Sequence, residues 1–187
     1  MANLDAAFGM NPIGKIGGGT ASAANSYITL SSYGVALFQG DAVRIAEGGG
    51  DVVLFAAADG GTDATNCIGV FWGCNYDDST TGKPIFSNQK AVSLATTCFV
   101  YDDPYQVFEI QDAGSGAQTD ISMTSDITAG TGSTTTGVSG NEAAGFATSA
   151  AGNDNLRCVG FSKKVGRNAF GANTVAEVLI NEHKYKE

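Results

Sequence analysis

Apolar and polar positions alternate with a period of two through most of this chain, in short runs separated by Gly, Asp, Ser and Thr. That pattern predicts strands and turns rather than helices. Tyr27–Leu30 opens the series. Segments 34–40 and 41–46 follow, the second with Val43 and Ile45 on one face and Arg44 on the other. A glycine turn leads into Val52–Ala56, a loop around Gly60, Gly61 and Asp63 intervenes, and Cys67–Tyr76 comes next as the strongest core candidate. There the two-residue period places Ile68, Val70 and Trp72 on one face, with Phe71 opposite. Residues 77–82 read as a turn, because Asp, Ser and Gly supply local hydrogen bonds and positive φ. Residues 83–86 and 91–95 are further strand candidates before Thr97–Tyr101. Asp102, Asp103 and Pro104 initiate another turn. Tyr105–Gln111 then sets Tyr105, Val107, Glu109 and Gln111 against Gln106, Phe108 and Ile110. Leu156–Phe161 and Thr174–Asn181 close the chain, the latter with Ala176, Val178 and Ile180 as a buried face.

Between Asp112 and Asn155 the alternation fades into Gly, Ser, Thr, Ala and Asp. A structureless loop of that length is unusual inside a compact domain, so short strands, or one short helix near residues 141–149, are expected within it. The whole predicts an all-β sandwich or barrel, less than about a tenth helical, forming one domain over residues 20–187 with 112–155 as a polar insertion or loop region.

Residues 1–19 do not fit the alternation. Lys15 and Asp5 interrupt any apolar run long enough for a secretory signal, and Pro12 with five glycines opposes a helix. An extended N-terminal arm is expected. Leu4, Phe8, Met10, Pro12 and Ile13 are too apolar for a free tail, so the arm is expected to lie on a surface, its own body's or a partner's, and these five residues are its candidate partner-binding positions.

Composition narrows the class. Only 16% of residues are charged, against 43% hydrophobic, so much of the surface must consist of small polar side chains. The formal charge of −9 is unevenly spread: residues 1–90 carry four basic and eight acidic side chains, 91–156 none and eight, and 157–187 six and three. A net field of this sign opposes nucleic-acid binding. The Lys163, Lys164 and Arg167 cluster reads as a solvated turn. Cys67, Cys74, Cys98 and Cys158 lack metal-ligand spacing, so buried free thiols and assembly in a reducing cytoplasm are expected. No apolar run is long enough to span a membrane as a helix.

Candidate chemistry is sparse. His183 is the sole imidazole, and no Gly-x-Ser-x-Gly elbow accompanies it, which argues against a Ser-His triad. One histidine also falls short of a cupin metal set. The Asp77–Asp78 and Asp102–Asp103 pairs read as turn caps rather than glycosidase or calcium carboxylates. Gly17–Thr20 lacks the lysine of a phosphate loop. Trp72 and the tyrosines suit a sugar site, but aromatics in an alternating apolar run belong more often to a core. No enzyme, metal or cofactor is expected.

Four patterns in order carry a resemblance: Met1-Ala-Asn-x-Asp-Ala-x-Phe-Gly-x-x-Pro12, Gly40-Asp41-x-Val43, Ile68-Gly-Val-Phe-x-Gly73 followed by Tyr76, and Asp102-Asp-Pro-x-x-x-Phe108. Together they resemble the capsid decoration, or cement, proteins of tailed bacteriophages, over residues 1 to about 112. Family members often have proline where Ala7 stands and a basic residue near Asn11. The resemblance implies a jelly-roll-like body on the outside of an assembled head, bridging major capsid protein subunits, assembled in the host cytoplasm and oligomeric, with a trimer preferred over a dimer. Gly40, Asp41, Ile68, Val70, Trp72, Gly73, Asp102, Pro104 and Phe108 are then its structural core and turn positions. A carbohydrate-binding module of the virion surface, with loops 112–155 as its recognition face, is the alternative.

Overall fold

The computed structural model describes residues 3–55, 67–146 and 154–186. The expected loop around Gly60, Gly61 and Asp63, the end of Val52–Ala56 and the second half of segment 141–149 lie outside the described residues. The chain is an all-β protein of several antiparallel sheets. One sheet runs in the order Asn11–Lys15, Gln106–Gln111, Val175–Ile180, Leu156–Phe161, Thr124–Ser125. The other runs Asn25–Thr29, Thr96–Tyr101, Cys67–Asp77, Ala42–Ile45, Val52–Leu54, with Pro84–Ser87 paired to the far end of the long Cys67–Asp77 strand. Among the described residues Gln118–Asp120 forms a 3-10 turn.

Between the sheets lies a core in which Phe108, Ile110, Val178, Ile180 and Leu156 meet Val70, Ala42 and Phe55. This is the face that alternation assigned to Ala176, Val178 and Ile180. The second sheet has another apolar face, where Val43, Val52, Ile68, Phe71, Cys98 and Val100 pack under Leu37 and the half-buried Tyr33. The Thr29 hydroxyl donates to the Val52 carbonyl at 2.8 Å, drawing the two outer strands of that sheet toward each other.

Two sequence expectations are corrected. First, Ile68, Val70 and Trp72 do not share a face. Val43 pairs with Gly69 but Arg44 pairs with Cys67, so Ile68 is an inserted residue and turns to the second core with Phe71, while Val70 faces the first. Gly69 permits the kink: its φ is +153°, and a Cβ there would stand 2.1 Å from the Tyr101 carbonyl oxygen. A second bulge follows, since Phe71 pairs with Val100 and Gly73 with Phe99, leaving Trp72 unpaired and only partly buried instead of in the core. Second, the strand expected at 91–95 is displaced. Gln89–Lys90 pairs with Leu37–Phe38, and Ser93 turns the chain with φ of +53°. The reason is Lys90, which lies in neither of the two segments that the pattern marks as strands. It is fully buried, its ammonium on the carbonyls of Tyr33 and Ala91. Of the two alternatives for the polar region, short strands or a helix near 141–149, the described part takes strands: Glu142–Ala143 pairs with Ile127–Thr128.

The N-terminal segment lies on its own body. Asn11–Lys15 is an edge strand on Gln106–Gln111, with a register shift between Pro12 and Gly14, and Pro12 and Ile13 are half-buried in it. Met10 is fully buried in the inter-sheet core of its own body. Phe8 is half-buried, whereas Leu4 is 77% exposed. An arm that ran free to residue 19 would leave this edge unpaired and the Met10 site empty. Met10→Ala is therefore expected to cost about 2–5 kcal/mol in urea denaturation, as buried Met truncations do. Deletion of residues 2–16 is expected to abolish cooperative unfolding rather than leave an intact body, and a sharp unfolding transition in that variant would refute this account of the segment.

Candidate functional site

Two adjoining features gather the polar and aromatic side chains of the N-terminal segment. One is a buried carboxylate. Glu109 sits at the middle of the Gln106–Gln111 strand, on the face turned away from the inter-sheet core, with its side chain 2% exposed. Ser162 donates its hydroxyl to Oε1 at 2.8 Å, the Lys164 ammonium lies 2.6 Å from Oε2, and the Arg167 guanidinium lies 4.0 Å away. Arg167 in turn covers the Phe8 ring, 4.6 Å from its centroid. The 162–172 loop thus closes over the strand and holds the N-terminal segment beneath it. Asn3 donates to the Ala169 carbonyl at 2.7 Å, and Gln111 donates to the Leu4 carbonyl and accepts from the Ala6 amide. Sequence reasoning placed Lys164 and Arg167 in a solvated turn. It missed Glu109 because a charge in an alternating strand is normally assigned to solvent, and here the outer face is roofed by the loop.

The other feature is a cleft of about 270 Å³ between the N-terminal segment and the second sheet. Phe8, Asn11, Gln39, Trp72, Val138 and Arg167 line it. Its floor is a backbone crossing: the Met10 amide donates to the Gly40 carbonyl at 2.9 Å, and the Gly40 amide to Phe71. Next to it Asp41 is buried and accepts from the Phe38 amide, the Ser139 hydroxyl and the Asn141 amide nitrogen, while burial raises its pKa above the usual carboxylate range. Gly40 and Asp41 thus hold the junction, and Gly73 leaves space that Phe86 fills.

The remaining sequence candidates lie apart. Asp102 takes two hydrogen bonds from the Asn25 side chain and one from the Tyr27 hydroxyl, whose pKa is raised by burial and by that bond. Asp103 accepts from the Tyr105 amide across Pro104 and from Ser22, and pairs with Lys15 at 2.6 Å. The Lys15 contact leads in holding its carboxyl down at about 2. Asp78 accepts from the amides of Thr80 and Thr81. His183 is buried, accepts the Tyr185 amide on Nδ1, and is held below its ordinary pKa by desolvation. All four thiols are free and buried, and desolvation pushes Cys67 and Cys74 up to about 12 and Cys158 to about 11. Among the described residues no group of three or more His, Cys, Asp or Glu side chains is arranged to hold a metal ion.

Searches of family models, curated proteins and solved structures match nothing to this chain.

Two variants test the roofed carboxylate. Lys164→Met leaves Glu109 buried without its closest cation and is expected to cost about 1–3 kcal/mol. Lys163→Met, next in sequence but outside the ion cluster, is expected to stay within about 0.5 kcal/mol in the same urea titration. Equal effects would reject the assignment. The Lys15–Asp103 pair is expected to show in acid. A carboxyl whose folded pKa is depressed contributes stability that is complete above the unfolded value and lost as pH falls through the folded one. The melting-temperature difference between the native chain and Lys15→Met is therefore expected to be steady above about pH 5 and to shrink from about pH 4 to about pH 2.

Proposed function

We propose that this chain is a structural protein that decorates the outer surface of a tailed-phage head and bridges major capsid protein subunits, as its resemblance to the decoration proteins implies. The observation that carries the reading is where the exposed apolar side chains lie. Leu4, Val165 and Phe170 are 77%, 92% and 53% exposed, and the Asn3 bond to Ala169 holds the segment bearing Leu4 against the loop bearing Val165 and Phe170. Exposed apolar groups carried on one tied segment and loop are a candidate protein contact. Lys163 and Lys164 precede Val165 in that loop, Lys164 being paired with Glu109.

On this reading the chain performs no catalysis and holds no cofactor, the body is jelly-roll-like, and a trimer seated on the shell multiplies modest contacts by effective concentration. A head protects the chain's apolar patch, and the chain ties neighbouring subunits against internal pressure. The surface consistent with this lies in the 3–8 segment and the 162–172 loop rather than at Met10, Pro12 and Ile13. Co-sedimentation with expanded heads lacking the chain is expected to give saturable binding, and Leu4→Asp or Val165→Asp is expected to weaken it at least about tenfold, equivalent to about 1.4 kcal/mol, with the fold retained. Absence of binding by the folded native chain would overturn the proposal.

A further inference from the structure

Trp72 is the single tryptophan of the chain, and it occupies a bulge inside the Cys67–Asp77 strand. Its neighbours Phe71 and Gly73 both pair with the Thr96–Tyr101 strand, so the insertion carries the indole out of the alternation and into the wall of the cleft beside Phe8. A bulge that re-aims one aromatic side chain is a common device beside binding sites. Tyr101 fixes the indole in a T-shaped contact, with centroids 5.4 Å apart and planes at 79°. The Gln39 backbone is pinned as firmly, since its main-chain N–H donates to the carbonyls of Asn88 and Gly137, each at 2.9 Å, and its side-chain Oε1 accepts from the Asn88 Nδ2 at 3.5 Å. Walls held this way lose little freedom when a ligand enters.

The lining selects a ligand class. Asn11 and Gln39 carry amides that both donate and accept, Arg167 donates only, and Phe8 and Trp72 supply apolar rings. No carboxylate lines the cleft, so a cation finds no counter-charge there. A phosphate or other strong anion meets one guanidinium whose charge is already shared with Glu109 at 4.0 Å, in a chain of net charge −9. A purely aliphatic ligand would strip water from both amides and return nothing to them. A pyranose ring fits each condition: its C–H faces lie on aromatic rings, and its hydroxyls, each donor and acceptor, pair with amides and guanidinium. The volume of about 270 Å³ is slightly below the usual range for drug-sized ligands, which suits one ring.

We infer that the cleft between Phe8, Gln39 and Trp72 is a binding site for a neutral saccharide, recognised through one pyranose unit. This site shares Phe8 and Arg167 with the segment and loop proposed to meet the shell, and its other walls come from Asn11, Gln39, Trp72 and Val138; saccharide binding by the free chain does not require shell binding. Because Trp72 is the only indole, its emission reports the cleft directly. The intact chain is titrated with the methyl glycosides of glucose, galactose, mannose and N-acetylglucosamine, following emission and acrylamide quenching. For at least one sugar a saturable change is expected, with a dissociation constant of about 1 mM or below. Gln39→Ala and Asn11→Ala, each checked for an unchanged urea midpoint, are expected to weaken it at least about tenfold. Lys163→Ala serves as the control and is expected to bind as the native chain does.

Amide shifts in a nitrogen-15 spectrum are expected to cluster at Asn11, Gln39 and Trp72. Emission unchanged through about 100 mM of every sugar, or a response that survives both amide variants, overturns the inference. These titrations contain no heads, so their failure leaves the co-sedimentation result untouched, and the reverse holds as well.

Discussion

Met10 reaches the interior because glycine stands at both position 9 and position 40. The two backbones cross so closely that a Cβ on Gly9 would lie 2.6 Å from the Gly40 carbonyl oxygen and 2.6 Å from the Ser139 side chain, while one on Gly40 would lie 2.9 Å from the Phe8 carbonyl oxygen. Both residues have positive φ, +68° and +97°, which any other residue would adopt at a cost. Much of the molecule depends on this crossing. It delivers Met10 to the core, starts the Asn11–Lys15 strand in register with Gln106–Gln111, and leads the chain through the buried Asp41 into the second sheet. It also forms the floor of the Trp72 cleft, so core packing and the candidate site share one constraint.

Glu109 shows how the outer face of the first sheet is finished. A carboxylate that is 2% exposed is costly unless ion-paired and hydrogen-bonded. Ser162 and Lys164 meet that requirement, and Arg167 links the pair to Phe8. The loop and the N-terminal segment are therefore held by a charge in the strand between them. Lys164 remains 58% exposed, so its Coulomb attraction is screened, and the hydrogen bonds to Glu109 contribute more than the net charge does.

The fold class and most strands were legible because alternation reports one buried face, and the strands containing Phe108 and Val178 obey it. Trp72 and Ile68 were misassigned, and Lys90 was passed over, for a common reason. Each depends on a register shift or a partner from a distant segment, and neither leaves a mark in the local pattern. Gly69 and Gly73 were the available signals: a glycine inside a strand run often marks a bulge or a close approach, and both do so here. The N-terminal segment was legible as apolar and non-helical. Its destination was not, because a strand added at a sheet edge is specified by the Gln106, Gln111 and Asp103 side chains that receive it, about a hundred residues away. The cleft could not be read at all, since its walls come from residues 8–11, 39, 72, 138 and 167.

Low charge and high apolar content look at first like a poorly solvated surface, and the second sheet resolves most of that tension. It buries apolar side chains on both faces, one against the first sheet and one beneath Leu37 and Tyr33, so the chain absorbs more hydrophobic residues than a sandwich with one core. The apolar groups still in solvent are then informative, because the interior had room for others of their size. Ile28 and Phe86 are each 62% exposed, while Leu4, Val165 and Phe170 belong to the segment and loop held by Glu109 and Asn3. Leu4, Val165 and Phe170 therefore stand in solvent on backbone that the Asn3 hydrogen bond and the Glu109 ion pair hold in place.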